Sequence, residues 1–271
     1  MDSNGAVTCM NDVIGDAMAE YSKRLQRSLR AIQVACDRNP DSVLLVLFGS
    51  RARGGASGKS DADFYHIVRK DKWSDANYGV VDRSGRVPSG LQRYTVLVDT
   101  IRTFEKYGNL YGTAEYWALR EGHVVYEAPG AGRVKSRIID YSKADVRVCA
   151  PRWLGLARRH LSEGRTYADK YRDGRVDADF TCHMARKSIE DSAKAVLLHD
   201  RVKFPFVRSL RVLCGLHPPV SQMTKDLDLD RVDSWHARHR RGRARPLTRN
   251  DYDDAMRSAQ SIYEKAAGIM A

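Results

Sequence analysis

No apolar run in the sequence approaches the ~20 residues a helix needs to cross a bilayer, so neither a membrane span nor a membrane partner is expected. The opening residues, MDSNGAVTCMNDVIGDAMAEY, carry acids and no basic n-region, which argues against a secretory leader. Cysteine is sparse. The five (Cys9, Cys36, Cys149, Cys182, Cys214) are scattered, and no pair has the spacing of a zinc site. They read as reduced, buried thiols of a cytoplasmic protein. There is no internal repeat and no long low-complexity tract. Acids are outnumbered, 34 against 46 Lys and Arg, for a formal net charge of +12. Such a surface attracts polyanions: nucleotides, phosphorylated metabolites or nucleic acid such as RNA.

What is present is a globular composition, 42% hydrophobic over 271 residues, enough for one large domain or two ordinary ones. The pattern changes between residues 128 and 145. Before that point strand-like runs alternate with helical ones; after it nearly everything reads as helix. The expected fold class is therefore α+β. A small mixed-sheet domain spans 1–128, a linker around Pro129 spans 129–144, and an all-α bundle spans 145–271.

In the first part Ala17, Tyr21, Leu25, Leu29 and Ile32 share one helical face. SVLLVLF is a continuous apolar run of strand length, as a buried central strand should be. DADFYHIVR and RYTVLVDTI read as two further strands, GTAEYWALREG as a short helix and HVVYE as a last strand. In the second part Cys182, Ala185, Ile189, Ala193 and Val196 form the apolar stripe of a long helix. FVRSLRVLCGL is a shorter helix, stopped by Gly215 and then Pro218-Pro219. The final helix opens at a Thr248 or Asn250 cap.

The chemistry concentrates in LLVLFGSRARGGASGKSDADFYHIV. Asp61 and Asp63 are two apart, so on a strand both carboxylates point to one face. Two like charges that close cost free energy unless a cation sits between them. Oxygen ligands favour Mg²⁺ or Mn²⁺. Asp99, on another strand, could complete a set that holds two metals about 4 Å apart, an arrangement suited to phosphoryl or nucleotidyl transfer. Gly49 lets backbone approach a phosphate closely, and Ser50 adds a hydroxyl at the start of a short helical segment. Arg51 and Arg53 follow and could neutralise leaving-group charge.

FGSRARGGASGKSDADF resembles the signature of the nucleotidyltransferase superfamily with a polymerase-β-like palm: an apolar residue, Gly-Ser, a gap, then Asp-x-Asp and an apolar residue. VLVDT followed by RTFEKY is similar to that family's third strand and next helix, and LYGTAEYWALREGHVVYE to the segment in which its minimal members end. The resemblance covers about residues 40 to 128. It implies that Asp61 and Asp63 bind the metals and that Asp99 is the third ligand or helps to activate the acceptor hydroxyl. It also implies that Gly49 and Ser50 hold the triphosphate, with Arg51, Arg53 and Ser60 at the nucleotide. The cofactor would be Mg²⁺, as two ions, with Mn²⁺ an alternative. The reaction would be attack of an acceptor on the α-phosphorus of a nucleoside triphosphate with release of pyrophosphate.

DADFTCHMARKSIEDSAKAVLLHDRVKFPFVRSLRVLCG resembles the HEPN helical domain, which commonly pairs, so a homodimer is expected. Some HEPN domains are ribonucleases that use an Arg, a polar residue and a later His. Here Arg238 is followed by His239 without a later His at that spacing, and the family's FP…H position carries Arg208, which argues against ribonuclease activity. The run Arg238, Arg240, Arg241, Arg243 and Arg245 reads as a solvated loop, or as a site for an anionic acceptor or nucleotide phosphates. A palm fused to a helical bundle resembles aminoglycoside-type nucleotidyltransferases, whose acceptors are cationic. A charge of +12 points instead to an anionic or neutral small molecule, such as a phosphorylated or phosphonate metabolite. The alternatives are nucleotidyl transfer to a protein or RNA, as in toxin–antitoxin-like systems, and a HEPN-type RNA-binding or ribonuclease module.

Overall fold

A computed structural model of the chain describes residues 23–54, 62–69, 94–107, 110–129, 131–132, 144–170, 178–205, 207, 209–241 and 249–271. Contacts divide the chain into two compact units, Met1–Ile139 and Asp140–Ala271.

The first unit is built on a mixed sheet of four described strands, β1 (Ser42–Phe48), β2 (Ala62–Val68), β3 (Tyr94–Thr100) and β4 (His123–Glu127), in the order β3-β2-β1-β4. β1 runs antiparallel to β2 and to β4, whereas β2 and β3 are parallel. Every residue of β1 is buried, which explains its apolar run from Val43 to Phe48: it is central, and both of its faces are covered. On one face Leu45, Leu47, Ala62, Phe64 and Val125 pack with Leu29, Ile32 and Cys36 of helix α1 (Lys23–Asp37). Ala17 and Tyr21, expected on the same helical face, lie outside the described residues. On the other face Val46, Phe48, Tyr65 and Ile67 pack with Phe104 of α3 (Ile101–Tyr107) and Ala118 of α4 (Ala114–Glu121). Between β1 and β2 lies the four-residue helix α2 (Gly49–Ala52).

The second unit is helical. A 3₁₀ turn (Val146–Cys149) leads into α5 (Ala150–Lys170), followed by α6 (Ala178–His199), α7 (Leu210–Cys214), α8 (Pro218–Met223), α9 (Leu229–Arg241) and α10 (Arg249–Met270). α6 is the central element, packed against α5, α9 and α10. Its expected stripe of Cys182, Ala185, Ile189, Ala193 and Val196 is fully buried. Two features differ from expectation. Pro218 and Pro219 do not merely stop α7; they begin α8, where a missing N–H costs nothing. The segment through Arg238, Arg240 and Arg241, expected as a loop, is helical backbone in the last turn of α9. That helix is nucleated by Asp228, whose Oδ1 accepts the Arg231 N–H at 3.0 Å, and is anchored by buried Val232 and Trp235.

Burial on all sides of α6 includes charged groups, and these are paired with one another. Glu190 accepts from Arg186 Nη1 and from Lys194 Nζ, each at 2.6 Å. The Lys194 ammonium also lies 4.2 Å from the centre of the Trp153 ring on α5. Arg186 turns its other donors to Asp233 of α9, at 3.1 and 3.2 Å, and Asp233 accepts the first N–H of α7, that of Leu210, at 3.0 Å. Charge-assisted bonds thereby link α6, α9 and α7, and the cation–π contact adds α5. Nearby, buried Asp191 holds His160 Nδ1 at 2.8 Å, tying α5 to α6.

Burial alone would raise the Glu190 carboxyl, but Lys194, Lys187 and Arg186 outweigh it and hold the group well below the ordinary range. A depressed carboxyl contributes stability only while ionised. Replacing Glu190 by Gln is therefore expected to cost about 3–5 kcal/mol at pH 7 in urea unfolding of the helical unit. The difference from wild type should shrink as pH falls below about 4.3.

Candidate active site

The site begins where β1 ends. Phe48, its last residue, pairs with Asp63 on β2. The next residue, Gly49, turns into the left-handed region with φ +79°. Only glycine suits this position on two grounds. L side chains rarely adopt that backbone, and a Cβ here would lie 2.6 Å from Asp63 Oδ2. The β1–α2 turn is thus packed directly against the Asp63 carboxylate. Ser50 follows, half-buried, as the second residue of α2.

The expected nucleotide residues divide. Gly49, Ser50 and Asp63 are brought together at this corner. Arg51 faces inward and is buried. Arg53 is exposed and pairs with Glu121 at 3.5 Å. Ser60 and Asp61 lie outside the described residues, as do Arg243 and Arg245. Arg238, Arg240 and Arg241 lie on the helical backbone of α9, in the second unit.

Asp99 stands at a different level of the sheet from Asp63. The parallel register sets Asp63 against Thr95 and Asp99 against Ile67. Alternation places Asp63, Tyr65, Thr95, Leu97 and Asp99 on one face. Yet four residues of strand, about 13 Å, separate the level of Asp99 from that of Asp63. A third carboxylate is not set beside Asp63 by β3; its neighbour there is Thr95. Among the described residues no group of three His, Cys, Asp or Glu side chains could hold a metal ion.

Asp99 instead accepts a hydrogen bond from the Tyr65 hydroxyl at 3.0 Å. Burial, then the charge of Glu115 at the start of α4, push its carboxyl up to about 6, against the pull of the Tyr65 bond. This tyrosine–carboxylate pair and its Glu115 neighbour escaped the sequence reading, because partners from β2, β3 and α4 carry no joint spacing signal. On the opposite face His66 is pushed down to about 4 by burial, and its Nε2 lies 3.9 Å from the Cys36 thiol, itself pushed up to about 12 by burial. Both are neutral core groups rather than ligands.

No family model matches the chain, and no curated protein matches it. Among solved structures it is similar to the spectinomycin adenyltransferase AAD(9) from Enterococcus faecialis with ATP and spectinomycin. The identity is 12%, over 89% of this chain and 98% of that one, with a TM-score of 0.41. A likeness of that degree assigns neither substrate nor site residues to this chain. No described helix is long and apolar enough to cross a membrane.

The raised Asp99 carboxyl gives a signed expectation. Its ionisation costs the folded state free energy once pH exceeds the unfolded value of 3.8, and that cost is complete above about 6. Asp99→Asn should therefore raise the melting temperature at pH 8, with the gain vanishing as pH approaches 4, read by thermal scans across that interval.

Proposed function

We propose that the chain is a metal-dependent nucleotidyltransferase. It transfers a nucleoside monophosphate from a nucleoside triphosphate to a hydroxyl, phosphate or phosphonate oxygen of a small-molecule acceptor. The observation that carries the reading is the contact between the Gly49 backbone and the Asp63 carboxylate. A Cβ at Gly49 would lie 2.6 Å from Asp63 Oδ2, so glycine is what lets the backbone of the turn that would hold a phosphate come up beside the carboxylate that would hold a cation. The sequence order of Gly-Ser, gap and Asp-x-Asp supports the same reading.

The donors suit a hard divalent cation: the corner offers carboxylate and hydroxyl oxygen. Asp61 and Asp63 would hold Mg²⁺, or Mn²⁺ in its place. When bound, the ion neutralises charge on the triphosphate and on the departing pyrophosphate. The remaining work falls to this chain's own groups. Gly49 and Ser50 hold the triphosphate close to the carboxylates, with Arg53 and Ser60 beside it. The acceptor oxygen forms a bond to the α-phosphorus, the bond from that phosphorus to the bridging oxygen breaks, and pyrophosphate departs. The acceptor's proton passes to solvent or a base. Positioning supplies much of the rate, because both reactants are held in one geometry.

A net charge of +12 supports an anionic or neutral acceptor. Arg238, Arg240 and Arg241 are proposed as groups that attract it. Asp99, away from the Asp63 level, is not required as a metal ligand in this reading.

The test is pyrophosphate release with each of the four nucleoside triphosphates, Mg²⁺ and a panel of phosphorylated, phosphonate and hydroxylated metabolites. Activity is expected with at least one pairing. Asp61→Ala and Asp63→Ala should each lower it by roughly 10²–10³-fold, the scale for losing one electrostatic stabiliser of a transition state, while Asp99→Asn should cost far less. Label appearing on protein or RNA instead would favour transfer to a macromolecule.

A further inference from the structure

The α2 turn is too short to hold itself in place. Its internal support is the Arg53 N–H donating to the Gly49 carbonyl and the Gly54 N–H donating to the Arg51 carbonyl, both at 3.3 Å. The Ala52 carbonyl lies at the C-terminal end, where a helix leaves its acceptors without partners of its own. His123 supplies the partner: its Nε2 lies 3.0 Å from the Ala52 oxygen. One residue later in the turn, Arg53 pairs with Glu121 at 3.5 Å.

His123 and Glu121 flank Gly122, and that glycine is what allows both contacts. A Cβ on Gly122 would lie 2.2 Å from the Ala118 carbonyl oxygen, 2.4 Å from Val46 Cγ1 and 2.8 Å from the Leu47 carbonyl oxygen. The end of α4 is thus pressed onto β1 at the point where β4 begins. His123 stands opposite Leu47 in the β1–β4 register, two residues before Gly49. The strand that delivers Gly49 to Asp63 therefore also carries the support for the far end of the turn.

We infer that Glu121, Gly122 and His123 form a clamp on the Gly49–Arg53 turn, and that His123 is a positioning residue for the triphosphate that this turn holds. The inference rests on the nucleotidyl-transfer reading. A carbonyl only accepts, so Nε2 must carry the proton. The Arg53–Glu121 pair is exposed on both sides and adds little stability; its effect is to fix where the guanidinium points. Without the His123 bond the turn keeps its place at Gly49 and loses it at Ala52. Restoring it on binding costs about what that one bond was worth, roughly 5–10-fold in affinity.

The test is calorimetric titration of the full-length chain with ATP, GTP, CTP and UTP in turn, each with Mg²⁺, for wild type, His123→Leu and His123→Gln. Gln can place an N–H donor where the imidazole Nε2 stood; Leu cannot. Wild type is expected to bind at least one nucleotide, His123→Leu to bind it about 5–10-fold more weakly, and His123→Gln to recover most of the loss. Both variants should melt within about 4 °C of wild type, since a single hydrogen bond is at stake. Equal affinity of His123→Leu and wild type would overturn the inference, as would an equal loss in both variants. If His123→Leu does not fold, His123→Ala takes its place under the same criteria. Failure of wild type to bind any of the four nucleotides would instead overturn the reading on which the inference rests.

Discussion

At the end of β1 a backbone without a side chain meets a carboxylate, and the first unit is arranged around that meeting. Phe48 and Asp63 are paired residues of antiparallel strands, so the chain leaving Phe48 must pass the Asp63 side chain. It can do so only by turning left-handed at Gly49, with no Cβ in the gap. The remaining contacts secure that geometry. The β1–β2 pair is buried on both faces and held by two apolar clusters. Gly122 permits α4 to close on β1, and β4 carries His123 back to the turn. The result is a carboxylate, a backbone turn and a serine hydroxyl in one corner, a set suited to polyphosphate and a hard cation.

How much of this was legible depends on the scale of the signal. β1 announced itself because a strand buried on both faces is apolar almost throughout, here from Val43 to Phe48. The Gly-Ser and Asp-x-Asp were legible because their chemistry is local. Asp99 shows where local signals end. Alternation fixes which residues of one strand share a face. It does not fix the level along the neighbouring strand, because a register shift of four residues preserves every face. Only the β2–β3 pairing reveals that Thr95, not Asp99, stands beside Asp63. His123 left no signal, since its partner is a backbone carbonyl 71 residues away.

The helical unit was legible in its stripes and less so in its short elements. α6 has five small or branched apolar residues in helical register, and all are buried. α9 was hidden by its arginines: composition suggested a solvated loop, while the Asp228 cap and the Val232 and Trp235 anchors make a helix. The chain from Trp153 through Lys194, Glu190 and Arg186 to Asp233 offsets the desolvation cost of burying so much charge. Each group answers another, so the network fixes which helices meet rather than adding much net stability.

The central claim is that Asp63, with Asp61, holds a divalent cation against a nucleotide's phosphates. Electron paramagnetic resonance of Mn²⁺ tests it without knowledge of the acceptor. With a nucleoside triphosphate present, wild-type protein should give a bound Mn²⁺ spectrum distinct from that of Mn²⁺–nucleotide alone, and the Asp61→Ala/Asp63→Ala variant should not. A bound spectrum of the same intensity in the folded double variant would contradict the account.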